Sequence, residues 1–482
     1  MILTIDVGTS ALKVVLYRVD GRLLATTAQL LTHQTPESGW AEADPAAWWA
    51  ALLAAVAELR AQDIDLAQVQ VIGVTGQMHT AVLLDAAGQP LPPTILWLDR
   101  RAVAETAELR QQLGLPPSRL NSAYTLPKLL WLARHRPDVL AQTRTLLWPK
   151  DYLRYRLTGQ LATDVTEAGG AALFDEQTQA WATDRLALVG LSPAVLPPIR
   201  PATADAGPLL PAAATALGLS PAAKVIVGAG DVLALLGGAP PRPHRLTCSL
   251  GSSAMISCPL TGTQHFDDPA HRLYIYPFLP YRLLNGVLST SGAALTWAWQ
   301  ALYEDQPALE TAVAAALATE PGGHGLFFLP YLAGERSPYW NDQLRGGFYG
   351  LMLGHSRCHM LRAVLEGVAF SLRHLIDIAE ELGVPIHEIA LAGGGASTPG
   401  WPQLIADVCQ RPVLIFSAQD TVTRPLYAYC VAALGEASFD AALQHAFGQP
   451  RRYRPQQSLA AVYTENYRRY RQLADFAAQA AW

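Results

Sequence analysis

The chain has 482 residues, of which 50% are hydrophobic and only 16% are charged. Because disordered chains combine low hydrophobicity with high net charge, this composition excludes disorder as the main state. Single hydrophobic cores stop growing beyond about 250–300 residues, so the length predicts two large domains. A net charge of −5 provides no basic surface for a polyanion, which disfavours nucleic acid as a partner.

No segment of the sequence contains the roughly 20 consecutive apolar residues that a membrane span requires. The best candidate, residues 225–241, includes Asp231 and several glycines, and the N-terminus lacks the basic and apolar regions of a signal peptide. Five scattered cysteines without a CxxC pair are typical of reduced, mostly buried thiols. We therefore expect a cytoplasmic protein with no membrane partner.

The first hundred residues predict strands and tight turns around one amphipathic helix. Apolar residues recur at three- and four-residue steps from Trp48 to Leu59, and Asp44 with Pro45 provides a typical helix start. Asp20-Gly21 is a hairpin signal between two apolar runs. The predicted strands cover residues 2–7, 12–19, 23–31 and 69–74.

A weaker repeat of this strand-turn-strand pattern occurs past the middle of the chain. Residues 246–250 and 254–258 are apolar runs that flank the turn Gly251-Ser252-Ser253, much as two strands flank Gly8-Thr9-Ser10. A long amphipathic helix near 360–382, a strand at 388–392 and a helix after Pro399 follow.

The repeated pattern predicts two α/β domains of related plan. The Pro-rich segment 237–243 is the expected junction, which gives domains of residues 1–239 and 240–482. We expect a helical tail from about residue 434.

The first turn places the carboxylate of Asp6 at the end of a strand, just before Gly8, Thr9 and Ser10. Backbone N–H groups and hydroxyls of such a turn can bind phosphate oxygens, and a carboxylate beside it can hold Mg²⁺. Lys13 adds a positive charge nearby. An ordinary hairpin, in which Asp6 accepts from turn amides, fits this motif equally well.

Two further glycine turns could contact a phosphate or a nucleotide. Taken alone, Gly251 and Ser252 form an ordinary hairpin turn, whereas a pair of such turns could bind one polyphosphate. Gly393, Gly394 and Gly395 follow a strand and precede a helix, a pattern that lets a ligand approach the backbone closely. They match neither the P-loop nor G-x-G-x-x-G, and we interpret them as a nucleotide contact.

Polar residues follow three predicted strands, where α/β sheets bind ligands. Asp231 follows a buried strand and a glycine turn, so it is either a helix N-cap or a general base. Gln77, Met78 and His79 follow another strand. Core packing is the alternative for Trp97 and Met78, and a surface ion pair with Arg101 is the alternative for Asp99.

The ordered set of these motifs resembles the FGGY carbohydrate kinases over nearly the whole chain. Within that family the chain is most similar to the members that phosphorylate D-xylulose. The motifs are Asp6-Val7-Gly8-Thr9-Ser10, Gln77-Met78-His79, Trp97-Leu98-Asp99-Arg100-Arg101, Pro149-Lys150-Asp151-Tyr152-Leu153, Gly228-Ala229-Gly230-Asp231, Ser249-Leu250-Gly251-Ser252-Ser253, Leu329-Pro330-Tyr331-Leu332-Ala333-Gly334-Glu335-Arg336 and Gly393-Gly394-Gly395-Ala396.

The resemblance implies two actin-like (ribonuclease H-like) domains with a cleft between them, which bind a sugar, ATP and Mg²⁺ and often form a homodimer. The first domain would bind sugar and phosphate, and the second would bind the nucleotide. It implies the following roles: Asp231 as catalytic base; Gln77, Met78, His79, Trp97 and Asp99 on the sugar; Asp6 at Mg²⁺; Gly8, Thr9, Ser10, Lys13, Gly251 and Ser252 on phosphates; Gly393, Gly394 and Gly395 on the nucleotide.

Three departures from the family pattern keep the substrate open. Val232 stands where Asn usually follows the base, Thr80 stands where Gly is usual, and residues 424–430 are bulkier than the usual Ala-Leu-Gly-Ala-Ala-type helix start. A lost hydrogen bond to a sugar hydroxyl can change discrimination by orders of magnitude. D-Xylulose is therefore the expected substrate, and another ketose, a polyol or a sugar acid is the alternative. A non-catalytic sugar sensor and an actin- or chaperone-like ATPase are less consistent with the motifs.

Overall fold

The computed structural model describes residues 1–262, 266, 268–276, 280–305, 307–416 and 421–479, and the chain divides into two compact units. Unit 1 contains Met1–Gly237 and Asp420–Ala446, and unit 2 contains Gly238–Gln419 and Phe447–Trp482. The predicted division into 1–239 and 240–482 differs from these units at residues 238–239, which belong to unit 2, and at residues 420–446, which belong to unit 1.

Most strands belong to one main sheet in each unit, and short two-stranded pairs complete the set. In chain order they are β1 Ile2–Val7, β2 Ala11–Tyr17, β3 Leu23–Leu30, β4 Glu42–Ala43, β5 Val71–Gly76, β6 Val82–Leu84, β7 Thr94–Ile95, β8 Thr145–Leu147, β9 Phe174–Asp175, β10 Ala180–Trp181, β11 Asp205–Pro208, β12 Lys224–Ile226, β13 Arg245–Leu250, β14 Ala254–Pro259, β15 Tyr274–Tyr276, β16 Leu283–Leu288, β17 Phe327–Leu329, β18 Gly347–Tyr349, β19 Glu388–Ala392, β20 Val413–Ile415 and β21 Arg451–Tyr453. The strands predicted near the N-terminus and at 388–392 are therefore present.

The helices pack on the sheets or form the periphery of a unit. They are α1 Pro45–Arg60, α2 Val103–Leu113, α3 Thr125–His135, α4 Pro137–Gln142, α5 Pro149–Thr158, α6 Val165–Gly170, α7 Thr183–Ala187, α8 Pro211–Leu217, α9 Ala234–Gly237, α10 Gly292–Leu302, α11 Leu309–Leu317, α12 Arg357–Glu381, α13 Gly394–Ser397, α14 Trp401–Cys409, α15 Thr423–Leu434, α16 Phe439–Ala446 and α17 Ala460–Gln479. The Asp44 side chain accepts a hydrogen bond from the Ala46 N–H, as expected for the N-cap of α1.

The main sheet of unit 1 has the strand order β11-β12-β5-β1-β2-β3. Strands β1, β2 and β3 form an antiparallel meander, whereas β5 pairs in parallel with both β1 and β12. Parallel strands end at the same edge of a sheet. The residues that follow β1, β5 and β12 therefore lie along one edge of unit 1.

The main sheet of unit 2 repeats this plan, with the order β15-β16-β14-β13-β19-β20-β21. Strands β13, β14 and β16 pair antiparallel, and β19 pairs in parallel with β13 and β20. The series β3-β2-β1-β5-β12 and β16-β14-β13-β19-β20 thus have the same order and directions. This agreement confirms the prediction of two α/β domains of related plan.

Helix α15 joins unit 1 because its apolar face completes the core beside β5 and β1. A Cβ at Gly73 would lie 2.8 Å from Cys430 Sγ and 2.9 Å from Leu426 Cγ, so the bare glycine makes room for this helix. The Tyr427 hydroxyl donates to the Val19 carbonyl at 2.7 Å. The bulky residues that depart from the family pattern here are core residues of unit 1.

The chain after residue 434 is not helical throughout. Helix α16 also belongs to unit 1, and β21 then pairs antiparallel with β20 at the edge of the unit 2 sheet before α17 begins. All five cysteines are free thiols, and burial raises the pKa of Cys248 to about 12. None of the helices in the described part of the chain has the length and hydropathy to cross a membrane.

The turn after β12 gives a first prediction. Gly228 has φ +73° and an added Cβ would lie 2.0 Å from the Val74 carbonyl oxygen of β5, whereas Gly190 has the same φ with nothing within 4 Å. Gly190→Ala should cost about 1 kcal/mol of stability from left-handed backbone strain alone. Gly228→Ala should cost about 3 kcal/mol or more, since the clash is with backbone. Urea midpoints measure both, and equal shifts would contradict this account.

Candidate active site

The turn after β1 forms one part of the site in unit 1. Asp6 lies on β1 directly opposite Lys13 of β2 and beside Thr75 of β5. The Gly8 N–H donates to the Ala11 carbonyl at 3.0 Å and closes the turn, and a Cβ at Gly8 would lie only 2.8 Å from that oxygen. The turn therefore requires glycine and leaves Ser10 exposed.

Asp231 lies at the same edge of the sheet, at the start of a 3₁₀ turn that runs from Asp231 to Leu233 after β12. Gly230, not Asp231, occupies the N-cap position, and no side chain caps this turn. Burial, together with the carboxylate of Asp6, raises the pKa of Asp231 to about 7. The structure thus brings these two predicted site residues together and disfavours the N-cap interpretation of Asp231.

Gln77 links the strand end of β5 to the first turn. Its side-chain Nε2 donates to the Gly8 carbonyl at 3.2 Å, and its Oε1 accepts from the Thr9 hydroxyl at 3.4 Å. The indole N–H of Trp97 donates to the same Thr9 hydroxyl at 2.8 Å. Thr80, which is fully buried, accepts from the Trp97 backbone N–H at 3.1 Å. These bonds hold the Gln77 and Trp97 side chains against the Gly8–Ser10 turn.

The hydrogen-bond partner of His79 defines which of its ring nitrogens carries the hydrogen. Its Nδ1 lies 2.5 Å from the Gly170 carbonyl, which can only accept, so Nδ1 carries the hydrogen. Burial lowers the pKa of His79 to about 4, with a further contribution from Lys128. The ring is therefore neutral near pH 7, and Nε2 is left as a hydrogen-bond acceptor.

Met78 is a buried wall beside these groups, with 5% exposure. Added Cβ atoms at Gly170 and Gly230 would lie 2.4 Å and 2.5 Å from its side chain. Both glycines therefore make room for Met78, which fits core packing as well as a role beside a ligand.

Asp99 lies in a closed ion pair. Its carboxylate accepts two-pronged hydrogen bonds from the Arg101 guanidinium and a further bond from the Ala41 N–H at 2.5 Å, and it has no exposed surface. Arg101 also pairs with Glu42 at 2.8 Å and stacks over Trp40. The alternative ion pair with Arg101 is thus present, buried rather than at the surface. The geometry gives Asp99 a structural role in place of the predicted substrate contact.

A cluster of buried charges lies behind Asp231, on α5 and around α6. Lys150 Nζ lies 2.7 Å from Asp151 and 3.0 Å from Asp164, and Arg154 pairs with Asp151 at 3.2 Å. Burial raises the pKa of Glu167 well above its usual range, and neither of its carboxyl oxygens has a hydrogen-bond partner among the described residues. With Glu167 neutral, the positive charges of Lys150 and Arg154 balance the negative charges of Asp151 and Asp164.

From the sequence, Lys150 and Asp151 are part of a motif without an assigned role. The signal that could have identified the cluster is the density of charge between residues 150 and 167 in a chain with only 16% charged residues. Charged side chains are almost never fully buried unless they are paired. Such density beside apolar runs therefore indicates an internal network.

In unit 2 the turn after β13 is held by the start of α10. The Gly251 N–H donates to the Ser253 carbonyl at 2.9 Å, and the Gly251 carbonyl accepts from the Gly292 N–H at 2.8 Å. The Ser252 carbonyl accepts from the Ser291 N–H at 2.8 Å, while Ser252 itself is exposed. The backbone of the turn is thus fixed, and its hydroxyl is left at the surface of the unit.

The three glycines after β19 lie next to this turn. Gly393 has φ +81°, and an added Cβ would lie 2.8 Å from the carbonyl oxygen of Leu250, the residue before Gly251. Gly395 packs on the Leu250 side chain, whereas Gly394 is exposed with nothing within 4 Å of an added Cβ. Gly393 and Gly394 therefore offer open backbone, and Gly395 is needed for packing.

Asp6 and Asp231 could supply only some of the ligands of a bound cation. Among the residues that the structure describes, no group of three or more His, Cys, Asp or Glu side chains could hold a metal ion. Mg²⁺ is usually bound by one or two carboxylates together with water and substrate phosphates, so two acids suffice. Burial is the main cause of the raised pKa of Asp231, and a divalent cation would relieve the added repulsion from Asp6.

Comparison with known proteins identifies relatives over nearly the whole chain. Residues 1–237 match the N-terminal domain of the FGGY family of carbohydrate kinases, and residues 246–424 match its C-terminal domain. A xylulose kinase from Escherichia coli (strain K12) is 34% identical over 416 residues, which cover 85% of this chain and 84% of that protein.

Solved structures give the same result for the fold. A xylulose kinase from Rhodospirillum rubrum has a TM-score of 0.88 at 30% identity, with 98% of each chain covered. A gluconate kinase from Lactobacillus acidophilus has a TM-score of 0.90 at 28% identity, covering 99% of this chain and 98% of the other. The chain is thus similar to kinases named for two different substrates.

The buried carboxyl of Glu167 gives a second prediction. Because its pKa is raised in the folded state, the unfolded chain loses this proton first as the pH rises, and stability falls above the ordinary Glu pKa of about 4.3. Glu167→Gln removes this loss. The stability of the variant relative to wild type should rise between pH 5 and pH 8, by at most about 1.4 kcal/mol per pH unit.

Urea unfolding at several pH values measures this difference. The exposed Glu37→Gln is the matched control, because its carboxylate is solvated in both states. A Glu167→Gln difference that does not change with pH would show that Glu167 is ionised in the folded protein.

Proposed function

The chain belongs to the FGGY family of carbohydrate kinases, and we propose that it transfers the γ-phosphoryl group of ATP to a hydroxyl of D-xylulose, forming D-xylulose 5-phosphate. The observation that carries this proposal is Asp231, a carboxyl with a pKa raised to about 7, at the same sheet edge as Asp6 and the Gln77–His79 segment. A general base is most effective when its pKa lies near the working pH.

Asp231 acts as the general base in this proposal. Its carboxylate accepts the proton of the sugar hydroxyl as that oxygen attacks the γ-phosphorus, while the bond to the β-γ bridging oxygen breaks. Phosphoryl transfer depends mainly on positioning and on neutralisation of charge, and little covalent chemistry is asked of the protein. A single carboxylate of this kind is therefore sufficient.

The nucleotide and its metal would be bound by a carboxylate, a lysine and the glycine turns described above. Asp6 would hold Mg²⁺, which supplies neutralisation of phosphate charge when bound. The Gly8, Thr9 and Ser10 turn and Lys13 in unit 1 would bind phosphate oxygens. In unit 2, Gly251 and Ser252 would also contact phosphate, and Gly393 and Gly394 would contact the nucleotide. Gly395 packs beneath them on Leu250.

The sugar would lie against His79, Met78 and Trp97. The Nε2 atom of His79 is an acceptor and suits a sugar hydroxyl as donor. Gln77 is bonded to the first turn, so its proposed contribution is to join the sugar side to the phosphate side.

The choice of D-xylulose over other substrates rests on the relatives named xylulose kinase, and the gluconate kinase of similar fold keeps a sugar acid as the alternative. Val232, which is 8% exposed, follows the base and offers no hydrogen bond to a sugar. Specificity must therefore come from other contacts.

An assay of ADP release over a panel of substrates tests the proposal. The panel contains D-xylulose, a second ketopentose, a ketohexose, a polyol and D-gluconate, each at several concentrations. We expect the highest kcat/KM for D-xylulose. A higher value for D-gluconate would establish the sugar-acid alternative, and sugar binding by calorimetry without any turnover would establish a non-catalytic sensor.

Replacing the base gives a further prediction. Asp231→Asn should lower kcat by at least about 1,000-fold, because the amide cannot accept the hydroxyl proton. The thermal unfolding temperature should not fall, because the amide removes the charge that Asp6 repels. Asp184→Asn is the control, since that carboxylate is exposed at the start of α7. Turnover of Asp231→Asn within tenfold of wild type would refute the assignment of the base.

A further inference from the structure

The backbone immediately before Asp231 is held by a side chain from another part of unit 1. The Gly230 N–H donates to the Thr166 hydroxyl at 2.7 Å. Thr166 lies on α6, 64 residues earlier in the chain, and is 2% exposed. Hydrogen bonds of this kind, removed from water, fix geometry because an unpaired partner would be costly.

The Thr166 hydroxyl is itself held in one orientation. Its hydrogen is donated to Asp164 Oδ2 at 2.6 Å, so its lone pairs remain for the Gly230 N–H. The other Asp164 oxygen lies 3.0 Å from Lys150 Nζ, inside the buried charge cluster. A continuous chain of polar contacts therefore runs from Lys150 to the peptide that precedes Asp231.

The same short helix also contacts the proposed sugar side. The Gly170 carbonyl at the end of α6 accepts the His79 Nδ1 hydrogen, and Met78 lies against both Gly170 and Gly230. Helix α6 thus touches the backbone beside Asp231 at one end and the ring of His79, which we place beside the sugar, at the other. The motifs of the sequence assign no role to Thr166.

We propose that Thr166 is a positioning residue for Asp231: its hydroxyl, oriented by Asp164, holds the Gly230 peptide and so sets the place of the carboxylate relative to the sugar hydroxyl. This inference rests on the proposed function of Asp231 as the base. The contribution is to the reacting geometry rather than to substrate affinity. A displacement of about 1 Å can cost about 100-fold in rate.

Kinetics of three variants test the proposal on the substrate that the panel identifies. Thr166→Val keeps the shape but removes the hydroxyl, and it should lower kcat about 10- to 100-fold with both KM values changed less than about threefold. Thr166→Ser keeps the hydroxyl and should stay within about threefold of wild type. Thr143→Val is the control, because Thr143 is also buried and its hydroxyl donates to the Val139 carbonyl of α4 at 2.9 Å, a contact within one helix end.

Amide hydrogen exchange of the peptide that contains Gly230, measured by mass spectrometry, gives a readout that does not depend on activity. Thr166→Val should accelerate this exchange, whereas Thr166→Ser and Thr143→Val should not. Unchanged exchange in Thr166→Val would overturn the contact. Accelerated exchange with a normal kcat, or a KM effect without a kcat effect, would overturn the positioning role. Normal turnover of Asp231→Asn would instead overturn the proposed base, whatever Thr166 does.

Discussion

Two carboxylates at one edge of one sheet impose the constraint on which the rest of unit 1 depends. The parallel pairing of β1, β5 and β12 places Asp6 and Asp231 near each other, and burial with mutual repulsion raises the pKa of Asp231 to about 7. This arrangement opposes folding, because partly desolvated like charges destabilise the folded state. It persists because the backbone before Asp231 is fixed by other contacts, those of Gly228 with Val74 and of Gly230 with Thr166.

The buried charges of α5 and α6 also help to fix the backbone around Asp231. Buried ion pairs add little net stability, because desolvation offsets attraction, but removing one partner is strongly unfavourable. A cluster of this kind therefore favours one arrangement of its elements over others. Lys150 bridges Asp151 of α5 and Asp164 at the start of α6, so α6 has one position relative to α5. The helix that contacts His79 and Gly230 is thereby fixed in a chain that otherwise contains few charges.

Sequence patterns predicted the elements whose signals are local. The β1–β3 meander, α1 with its Asp44 cap and the related plan of the two units all follow from periodicity and turns. Contacts between distant segments could not be predicted in this way. For Asp99 a contact with the sugar was expected and a surface ion pair with Arg101 was the alternative. The ion pair is present but buried, and the Ala41 N–H donates to its carboxylate. Residues 424–430 showed only as a bulky departure from the family pattern, and nothing local to them indicates that α15 packs in the core of unit 1. Thr166 likewise meets Gly230 across 64 residues.

The charges near the proposed sugar site favour a neutral sugar over a sugar acid. His79 is neutral with Nε2 as a hydrogen-bond acceptor, and Asp6 and Asp231 are acids. A substrate carboxylate beside them would meet acceptors and negative charge, whereas sugar hydroxyls would donate to them. Lys128 acts on His79, but it is buried, its pKa is lowered well below the usual range by desolvation, and its Nζ donates to a backbone carbonyl. In the proposed site Val232 adds only apolar surface. Selection there would depend on hydroxyl groups, which D-xylulose and D-gluconate share, and on the charge that only gluconate carries.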